Sequence, residues 1–235
     1  MTDTIINLQD ITAFLDEAKL SLFLSSLPPY RQEHILAPTR LEDRARRAAA
    51  EFALKRACRE LGVPYSSLTV TYTKNGKPYI SSPKGLAISI SHSALLSCVA
   101  LVSSSEEVEI GVDLEVLRET PRYDALAKRY FPEELLAIYL ATPPEEQEET
   151  FILLWTCFEA AAKVDGRGLG RCIGKVNFPS CYRRSYTTTD VGGQRYYVTL
   201  ASNKNIFLEN TSFPPHTLAI EGAICYNKGV NHRKE

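Results

Sequence analysis

Residues 110–115 read Ile-Gly-Val-Asp-Leu-Glu, in which apolar and acidic side chains alternate. Because every second side chain of a β-strand points to the same face, Asp113 and Glu115 would project together while Val112 and Leu114 pack behind them. Two neighbouring carboxylates favour a bound cation, although a solvated strand face is the ordinary explanation of this spacing taken alone. The stretch therefore predicts a strand whose acidic face is a candidate cation site.

About 40 residues downstream, the sequence predicts an amphipathic helix from Phe151 to Val164. Glu159 and Lys163 are four residues apart, so they would lie on adjacent turns of one helix face. By itself this is the spacing of an ordinary exposed ion pair. Combined with the two carboxylates of the strand, it suggests a phosphate group held by magnesium.

Three further motifs accompany these residues. Residues 75–79 read Asn-Gly-Lys-Pro-Tyr at a predicted turn, and residues 89–93 read Ser-Ile-Ser-His-Ser at the end of a predicted strand. The helix contains Trp-x-x-x-Glu-Ala-x-x-Lys from Trp155, and Gly-Arg-Gly-Leu follows at 166–169. Over residues 40–178 the order and approximate spacing of the whole set resemble the 4'-phosphopantetheinyl transferase family, of the surfactin-synthetase-activating type.

This resemblance implies an α+β fold in which two similar α/β halves, 1–106 and 107–235, pack as a pseudo-dimer with the active site in the cleft between them. It implies transfer of the 4'-phosphopantetheine arm of coenzyme A to a serine of an apo acyl or peptidyl carrier protein, with release of adenosine 3',5'-bisphosphate. The carrier could belong to fatty-acid, polyketide or nonribosomal-peptide synthesis.

The same resemblance implies roles for individual residues. The expected Mg2+ ligands are Asp113, Glu115 and Glu159. The expected catalytic residues are Glu159, Lys163 and His92, with Glu159 or a water on the metal taking the proton of the attacking serine. The expected coenzyme-binding residues are Arg44, Arg47, Asn75, Gly76, Lys77, Pro78, Ser91, His92 and Lys163. Arg44 and Arg47 would bind the 3'-phosphate, for which Arg46 is an alternative.

The composition is that of a compact enzyme. The chain has 235 residues, of which 44% are hydrophobic and 23% charged, so it can bury a substantial core. A formal net charge of −1 gives no reason to expect nucleic acid as a partner. The cysteines have no C-x-x-C spacing and are expected in the core rather than at zinc. With neither a signal peptide nor an apolar run long enough to span a bilayer, we expect a cytoplasmic protein away from membranes. The resemblance also implies a monomer, because a pseudo-dimeric chain would already contain a complete cleft.

The remaining sequence predicts an irregular N-terminal segment followed by a long helix at about Arg40 to Leu61. Shorter helices are expected from about Tyr123 to Tyr139. The predicted strands are Leu68 to Thr73, Leu86 to Ser91, Leu96 to Val102, Gln194 to Ala201 and Leu218 to Cys225.

Two departures from the family pattern bear on function. Phe158 stands before the glutamate, where the family commonly has Lys or Arg, and Tyr30, Arg31 and Glu33 stand where relatives often carry coenzyme-contacting lysines. A catalytically weakened coenzyme-A-binding or carrier-docking protein is therefore an alternative, and a metal-dependent phosphohydrolase is a third. A Ser-His-Asp hydrolase fits poorly, because the G-x-S-x-G motif is missing.

Overall fold

The computed structural model describes residues 2–119, 122–168, 182–191, 193–206, 211–212 and 217–219. Helices and strands are both well represented, which confirms an α+β fold. The first part of the chain contains β1 (Thr2–Asp10), α1 (Glu17–Ser25), α2 (Pro29–Leu36), α3 (Leu41–Glu60), β2 (Thr69–Tyr72), β3 (Pro78–Ser82), β4 (Leu86–Ser93) and β5 (Leu96–Ser104). The second contains β6 (Ile110–Val116), α4 (Tyr123–Tyr130), α5 (Glu133–Ala141), α6 (Gln147–Asp165), β7 (Tyr182–Val191), β8 (Gln194–Ser202), β9 (Thr211–Ser212) and β10 (Thr217–Ala219). Short 3-10 turns occupy Thr12–Leu15, Tyr65–Ser67 and Pro144–Glu146.

Within the described residues, the β structure consists of two four-stranded sheets and one hairpin. The first sheet has the strand order β4-β5-β1-β9 and the second has the order β10-β7-β8-β6. The separate hairpin joins β2 to β3. The short strand β9, late in the chain, pairs in parallel with β1 at its beginning, so the C-terminal part of the chain returns to the first sheet.

The two sheets share an order of strand, long helix and hairpin, although the first part of the chain has the additional hairpin β2–β3 between its long helix and β4. In the first, a strand (β1) and a long helix (α3) precede the hairpin β4–β5, whose second strand pairs antiparallel with β1. In the second, β6 and α6 precede the hairpin β7–β8, whose second strand pairs antiparallel with β6. In each sheet the last strand of this set is therefore flanked by the other two.

The core separates into layers because strand side chains alternate between faces. On β5, Cys98, Ala100 and Val102 join a cluster that also contains Val112 and Leu114 of β6, so this core lies between the two sheets. The alternate residues of β5 pack on the alanine-rich face of α3, on the opposite side of the first sheet. On β6 the alternate residues are Asp113 and Glu115, which the pleat directs towards α6. The acidic face of β6 therefore packs against α6, the helix that carries Glu159 and Lys163.

The prediction of an irregular N-terminal segment was wrong, because residues 2–10 form β1, an inner strand of the first sheet. Its residues Thr4 to Asn7 are all buried, including the polar Thr4 and Asn7 at 0% and 2% exposure. A strand buried on both faces has no alternation of apolar and polar residues, so its sequence gives no period-two signal. Its partner is β5, far along the chain.

Most other element predictions are confirmed. The long helix begins at Leu41 with Arg40 as its N-cap and ends at Glu60, and the strand at 110–116 is present. Cys58, Cys98 and Cys157 are buried, as expected of core residues, whereas Cys172, Cys181 and Cys225 lie outside the described residues. The predicted strand from Leu218 overlaps β10, and residues 220–225 also lie outside the described part. Of the helices that the structure describes, none is long and apolar enough to cross a membrane.

Candidate active site

The site begins with a very close approach of β6 to α6. A Cβ atom built on Gly111 would lie 2.0 Å from the carbonyl oxygen of Ala160 and 2.8 Å from Cβ of Lys163. Only glycine leaves room for the helix backbone at this distance, since real Cβ atoms do not approach a carbonyl oxygen so closely. The first glycine of the Gly-Val-Asp-Leu-Glu motif therefore sets the position of the helix that carries Glu159 and Lys163.

The ammonium of Lys163 donates hydrogen bonds to two atoms of β6 and to one atom of β4. Its Nζ donates to Asp113 Oδ1 at 2.6 Å, to Ser91 Oγ at 2.9 Å and to the carbonyl oxygen of Val112 at 3.0 Å. Asp113 is 2% exposed, so this is a largely buried charge pair supported by a neutral hydroxyl. The acidic face of the strand and the lysine of the helix are therefore in contact, as the sequence suggests.

The serines of β4 orient the carboxylates of β6. Ser91 Oγ donates to Asp113 Oδ1 at 2.9 Å, and Ser93 Oγ donates to Glu115 Oε2 at 2.9 Å. Both serines are buried. Ser93 was not among the residues predicted from the sequence, although the Ser-Ile-Ser-His-Ser repeat, with serines at every second position of a strand, contains the signal.

Glu159 is held in an environment that favours its protonated form. Burial raises the pKa of this carboxyl to about 7, and the negative charges of Asp113 and Glu115 add to the rise. The ammonium of Lys163 and a hydrogen bond from Trp155 oppose it. Burial and the charge of Asp113 likewise raise the pKa of Glu115. The three carboxylates are thus close enough to destabilise one another's charge.

The donor set fits a divalent cation chemically. Asp113 Oδ2 is buried and has no hydrogen-bond partner among the described residues. Mg2+ prefers oxygen ligands, and an added cation would meet this oxygen and relieve the repulsion between the carboxylates. As the side chains stand, the described residues contain no group of three or more His, Cys, Asp or Glu placed to hold a metal ion. The ammonium of Lys163 supplies the positive charge at Asp113 in this arrangement.

The turn between β2 and β3 packs against the C-terminal end of α6. Asn75 Nδ2 donates to the carbonyl oxygen of Gly166 at 3.2 Å, and Lys77 Nζ donates to that of Val164 at 3.0 Å. Lys77 also pairs with Glu109, in the segment that precedes β6. The predicted turn, which belongs to the separate hairpin β2–β3, therefore contacts the helix that carries Glu159.

A cavity of about 260 Å3 lies between this turn and the helix. Its lining includes residues 75–78, Glu159, Lys163 and Gly166. Gly166 ends α6 in the left-handed conformation, with φ of 71°, close to the predicted end of the helix at Val164. The turn predicted to bind the coenzyme and the predicted catalytic residues Glu159 and Lys163 thus line the same cavity.

The predicted residues of α3 are divided between two roles. Arg44 Nε donates to the carbonyl oxygen of Pro38 at 2.7 Å, and Arg47 donates to that of His34 at 2.6 Å, so both tie down the segment before the helix. Arg46 pairs with Asp43 at 2.7 Å and is close enough to His92 to lower its pKa. Of the three arginines, Arg46 has the electrostatic link to a predicted site residue.

His92 lies on an exposed position near the end of β4. Desolvation by the surrounding protein, followed by the positive charges of Arg46 and Lys163, lowers the pKa of the imidazole. Strand alternation places His92 and Ser91 on opposite faces of β4. A histidine beside two cations is suited to an anionic ligand such as a phosphate.

Arg31 and Phe158, which depart from the family pattern, are both buried. Arg31 is 4% exposed and its Nη1 donates to both carboxylate oxygens of Glu51, at 2.8 and 3.1 Å, so it belongs to a buried ion pair. Phe158 is 1% exposed and packs among aromatic residues that include Phe131 and Trp155. Phe158 therefore belongs to the apolar face of α6 that packs on the core.

Comparison with known proteins agrees with these motifs. Residues 109–208, from the start of β6 to just beyond β8, match the model of the 4'-phosphopantetheinyl transferase superfamily. The chain is similar to the 4'-phosphopantetheinyl transferase HetI of Nostoc sp., with 34% identity over 114 residues that cover 47% of each chain. It is also similar to slr0495 of Synechocystis sp., whose name assigns it provisionally to the same activity, with 30% identity over 156 residues. That alignment covers 65% of this chain and 61% of the relative.

A third relative is a 4'-phosphopantetheinyl transferase of Bacillus subtilis, with 28% identity over 113 residues and 48% of each chain covered. The chain therefore spans about half to three fifths of the length of these relatives. The matched part contains Asp113, Glu115, Glu159 and Lys163, whose convergence the structure shows. The part of the chain from residue 109 to residue 208 therefore belongs to the 4'-phosphopantetheinyl transferase superfamily.

Proposed function

We propose that this chain is an enzyme that transfers the 4'-phosphopantetheine arm of coenzyme A to a serine of an apo acyl or peptidyl carrier protein. The observation that carries the proposal is that Glu159 and Lys163 line a cavity bordered by the turn 75–78, while the ammonium of Lys163 contacts the buried carboxylate of Asp113. A lysine within reach of a phosphate and carboxylates able to hold a cation are the groups that phosphoryl transfer requires.

In the proposed reaction the serine oxygen of the carrier forms a bond to the phosphorus that bears pantetheine. The bond from that phosphorus to the bridging oxygen of the pyrophosphate breaks, and adenosine 3',5'-bisphosphate leaves. Lys163 would stabilise the negative charge that develops on the leaving phosphate. Either Glu159 or a water on the metal would accept the serine proton.

Asp113, Glu115 and Glu159 would hold Mg2+ in this proposal. When bound, the ion would neutralise charge on the pyrophosphate. Support comes from the unpartnered buried oxygen of Asp113 and from the raised pKa values of Glu115 and Glu159.

Coenzyme A would lie along the turn 75–78, with Ser91 and His92 near its phosphates. Arg46, which is near His92, is the better candidate for the 3'-phosphate. Arg44 and Arg47 would contribute there only if they released their backbone carbonyl partners.

We infer that the halves 1–106 and 107–235 act as a pseudo-dimer with the site in the cleft between them. The shared strand, helix and hairpin order of the two sheets supports this relation. A single chain would then supply both walls of the cleft, so we propose a monomer that acts in the cytoplasm without nucleic acid or membrane. The proposed reaction sets no preference among carriers of the three synthetic systems, since the choice of carrier depends on surface complementarity.

Intact-mass spectrometry of an apo carrier tests this function. The protein is incubated with coenzyme A, MgCl2 and a panel of apo carriers from fatty-acid, polyketide and nonribosomal-peptide systems. We expect one or more carriers to gain the mass of a single phosphopantetheine arm, together with stoichiometric adenosine 3',5'-bisphosphate. Release of phosphate or pantetheine phosphate without any carrier would indicate a phosphohydrolase, and coenzyme binding without transfer to any carrier would indicate a binding protein.

A further inference from the structure

The edge strands β4 and β6 belong to different sheets, and serine side chains join them. Three backbone N–H groups of β6 donate to hydroxyl oxygens of β4: Val112 to Ser89 at 2.8 Å, Leu114 to Ser91 at 3.3 Å and Val116 to Ser93 at 3.2 Å. The acceptors and the donors both recur every second residue, as alternation along a strand requires. We call this set of three contacts the serine seam.

Each serine of the seam also faces the residue that precedes its N–H donor. For Ser91 that residue is Asp113 and for Ser93 it is Glu115, and each hydroxyl donates its proton to that carboxylate at 2.9 Å. For Ser89 the corresponding residue is Gly111, which has no side chain. The seam therefore contains two serines that hold a carboxylate and one that only joins the strands.

A hydroxyl is suited to this double task because it has one proton to donate and lone pairs to accept. Ser93 is 8% exposed, so its loss would leave the N–H of Val116 and one oxygen of Glu115 without a partner in a mostly buried place. Glu115 has three side-chain torsions, and a fixed hydrogen bond restricts which of its rotamers is occupied. Ser93 thus sets the direction in which the Glu115 carboxylate points.

We propose that Ser93 is a positioning residue that presents Glu115 to the divalent cation of the site. The inference rests on the proposed function, because that function supplies the reason for a cation. Ser93 acts through Glu115 and needs no contact with substrate. Groups that orient metal ligands in this way typically change metal affinity by about ten-fold or more when they are removed.

Titration of the protein with Mn2+ alone tests the proposal without requiring turnover. The concentration of free Mn2+ is measured by electron paramagnetic resonance and gives the affinity of the site. We expect Ser93→Ala to weaken Mn2+ binding roughly ten-fold, while Ser93→Thr, which keeps the hydroxyl, stays within about two-fold of wild type. Ser89→Ala is the matched control, because it removes a buried acceptor of the same seam but no carboxylate contact. It should lower the melting temperature about as much as Ser93→Ala does and leave Mn2+ affinity within about two-fold.

A double-mutant cycle makes the test specific to the pair. The loss caused by Ser93→Ala should disappear when Glu115 is already replaced by alanine. Should Ser93→Ala fail to fold, Ser93→Cys provides a weaker donor of similar shape, with an expected loss of about three-fold.

Equal Mn2+ affinities of the Ser89 and Ser93 variants would overturn the proposal, and so would a wild-type protein that binds no Mn2+. The transfer assay on the wild-type protein reports the proposed function independently. A protein that transfers the arm but shows no difference between the two serines refutes only the role of Ser93. A protein that shows the Mn2+ difference but no transfer refutes only the reaction.

Discussion

Gly111 of β6 and Ala160 of α6 are in such close contact that a Cβ on Gly111 would lie 2.0 Å from the Ala160 carbonyl oxygen. The contact fixes α6 against the strand one turn before Lys163. It therefore also sets the separation between the Lys163 ammonium and the Asp113 carboxylate, whose Nζ and Oδ1 atoms are 2.6 Å apart.

Gly111→Ala should displace α6 from β6 and separate this pair. Forcing a methyl group against backbone atoms costs about 1 to 3 kcal/mol of stability. We expect a lower melting temperature together with a transfer rate reduced by at least about ten-fold, because small displacements at a reacting site are costly. The control is Gly62→Ala, at a residue with open space around its Cβ, whose own φ of 67° lies in the left-handed region that favours glycine. It should lower stability modestly and leave transfer unchanged. Normal transfer by Gly111→Ala would mean that the close contact does not position the site.

Lys163→Met should lower turnover more than it lowers coenzyme A affinity. The ammonium contacts Asp113, Ser91 and the Val112 carbonyl oxygen, and we place it beside charge that develops on the leaving group. Removing one such donor typically costs about 100-fold or more in turnover. Steady-state kinetics together with calorimetric titration of coenzyme A separate the two effects. Weakened binding with normal turnover would make Lys163 a binding residue instead.

The raised pKa of Glu159 predicts a stability change with a definite sign. Because the carboxyl has a pKa of about 7 when folded and 4.5 as its ordinary value, the folded protein binds the additional proton between these limits. The wild-type protein should therefore lose stability as pH rises through this window, and Glu159→Gln should not share that loss.

Melting temperatures in EDTA between pH 4 and pH 8 would measure this difference. We expect the melting temperature of Glu159→Gln to gain on that of wild type steadily from pH 4.5 to about 7. Parallel curves for the two proteins across the range would show that Glu159 is ionised in the folded protein as easily as in water.

Much of the site could be predicted because its residues belong to short, regular patterns. The alternation at 110–115 predicts the strand, and the spacing of four between Glu159 and Lys163 predicts their common face. The N-terminal strand could not be predicted, since Thr4 and Asn7 are buried by partners distant in sequence. The same reason hides the roles of Arg44 and Arg47, whose carbonyl partners are known only once α3 meets the preceding segment.

Phe158→Lys should destabilise the protein and give no gain in transfer rate. The ring is 1% exposed and packs on Phe131 and Trp155, so the substitution removes buried apolar area worth about 1.5 to 3 kcal/mol and buries part of a charged side chain. Phe158→Leu, which keeps an apolar side chain, is the control and should lose less stability. Faster transfer with an unchanged melting temperature would instead indicate that residue 158 faces the cleft and that the natural site is electrostatically impaired.

The rate of arm transfer by Asp113→Ala and Glu159→Gln tests the account most directly. Each variant removes a carboxylate that we assign to the cation of the reaction, while Ser89→Ala controls for damage to the neighbouring seam. With coenzyme A and an apo carrier in excess and MgCl2 limiting, intact-mass spectrometry should show arm transfer by wild type and almost none by either variant, although both remain folded by circular dichroism. Transfer by either folded variant at the wild-type rate would contradict the assignment of this carboxylate cluster as the reacting site.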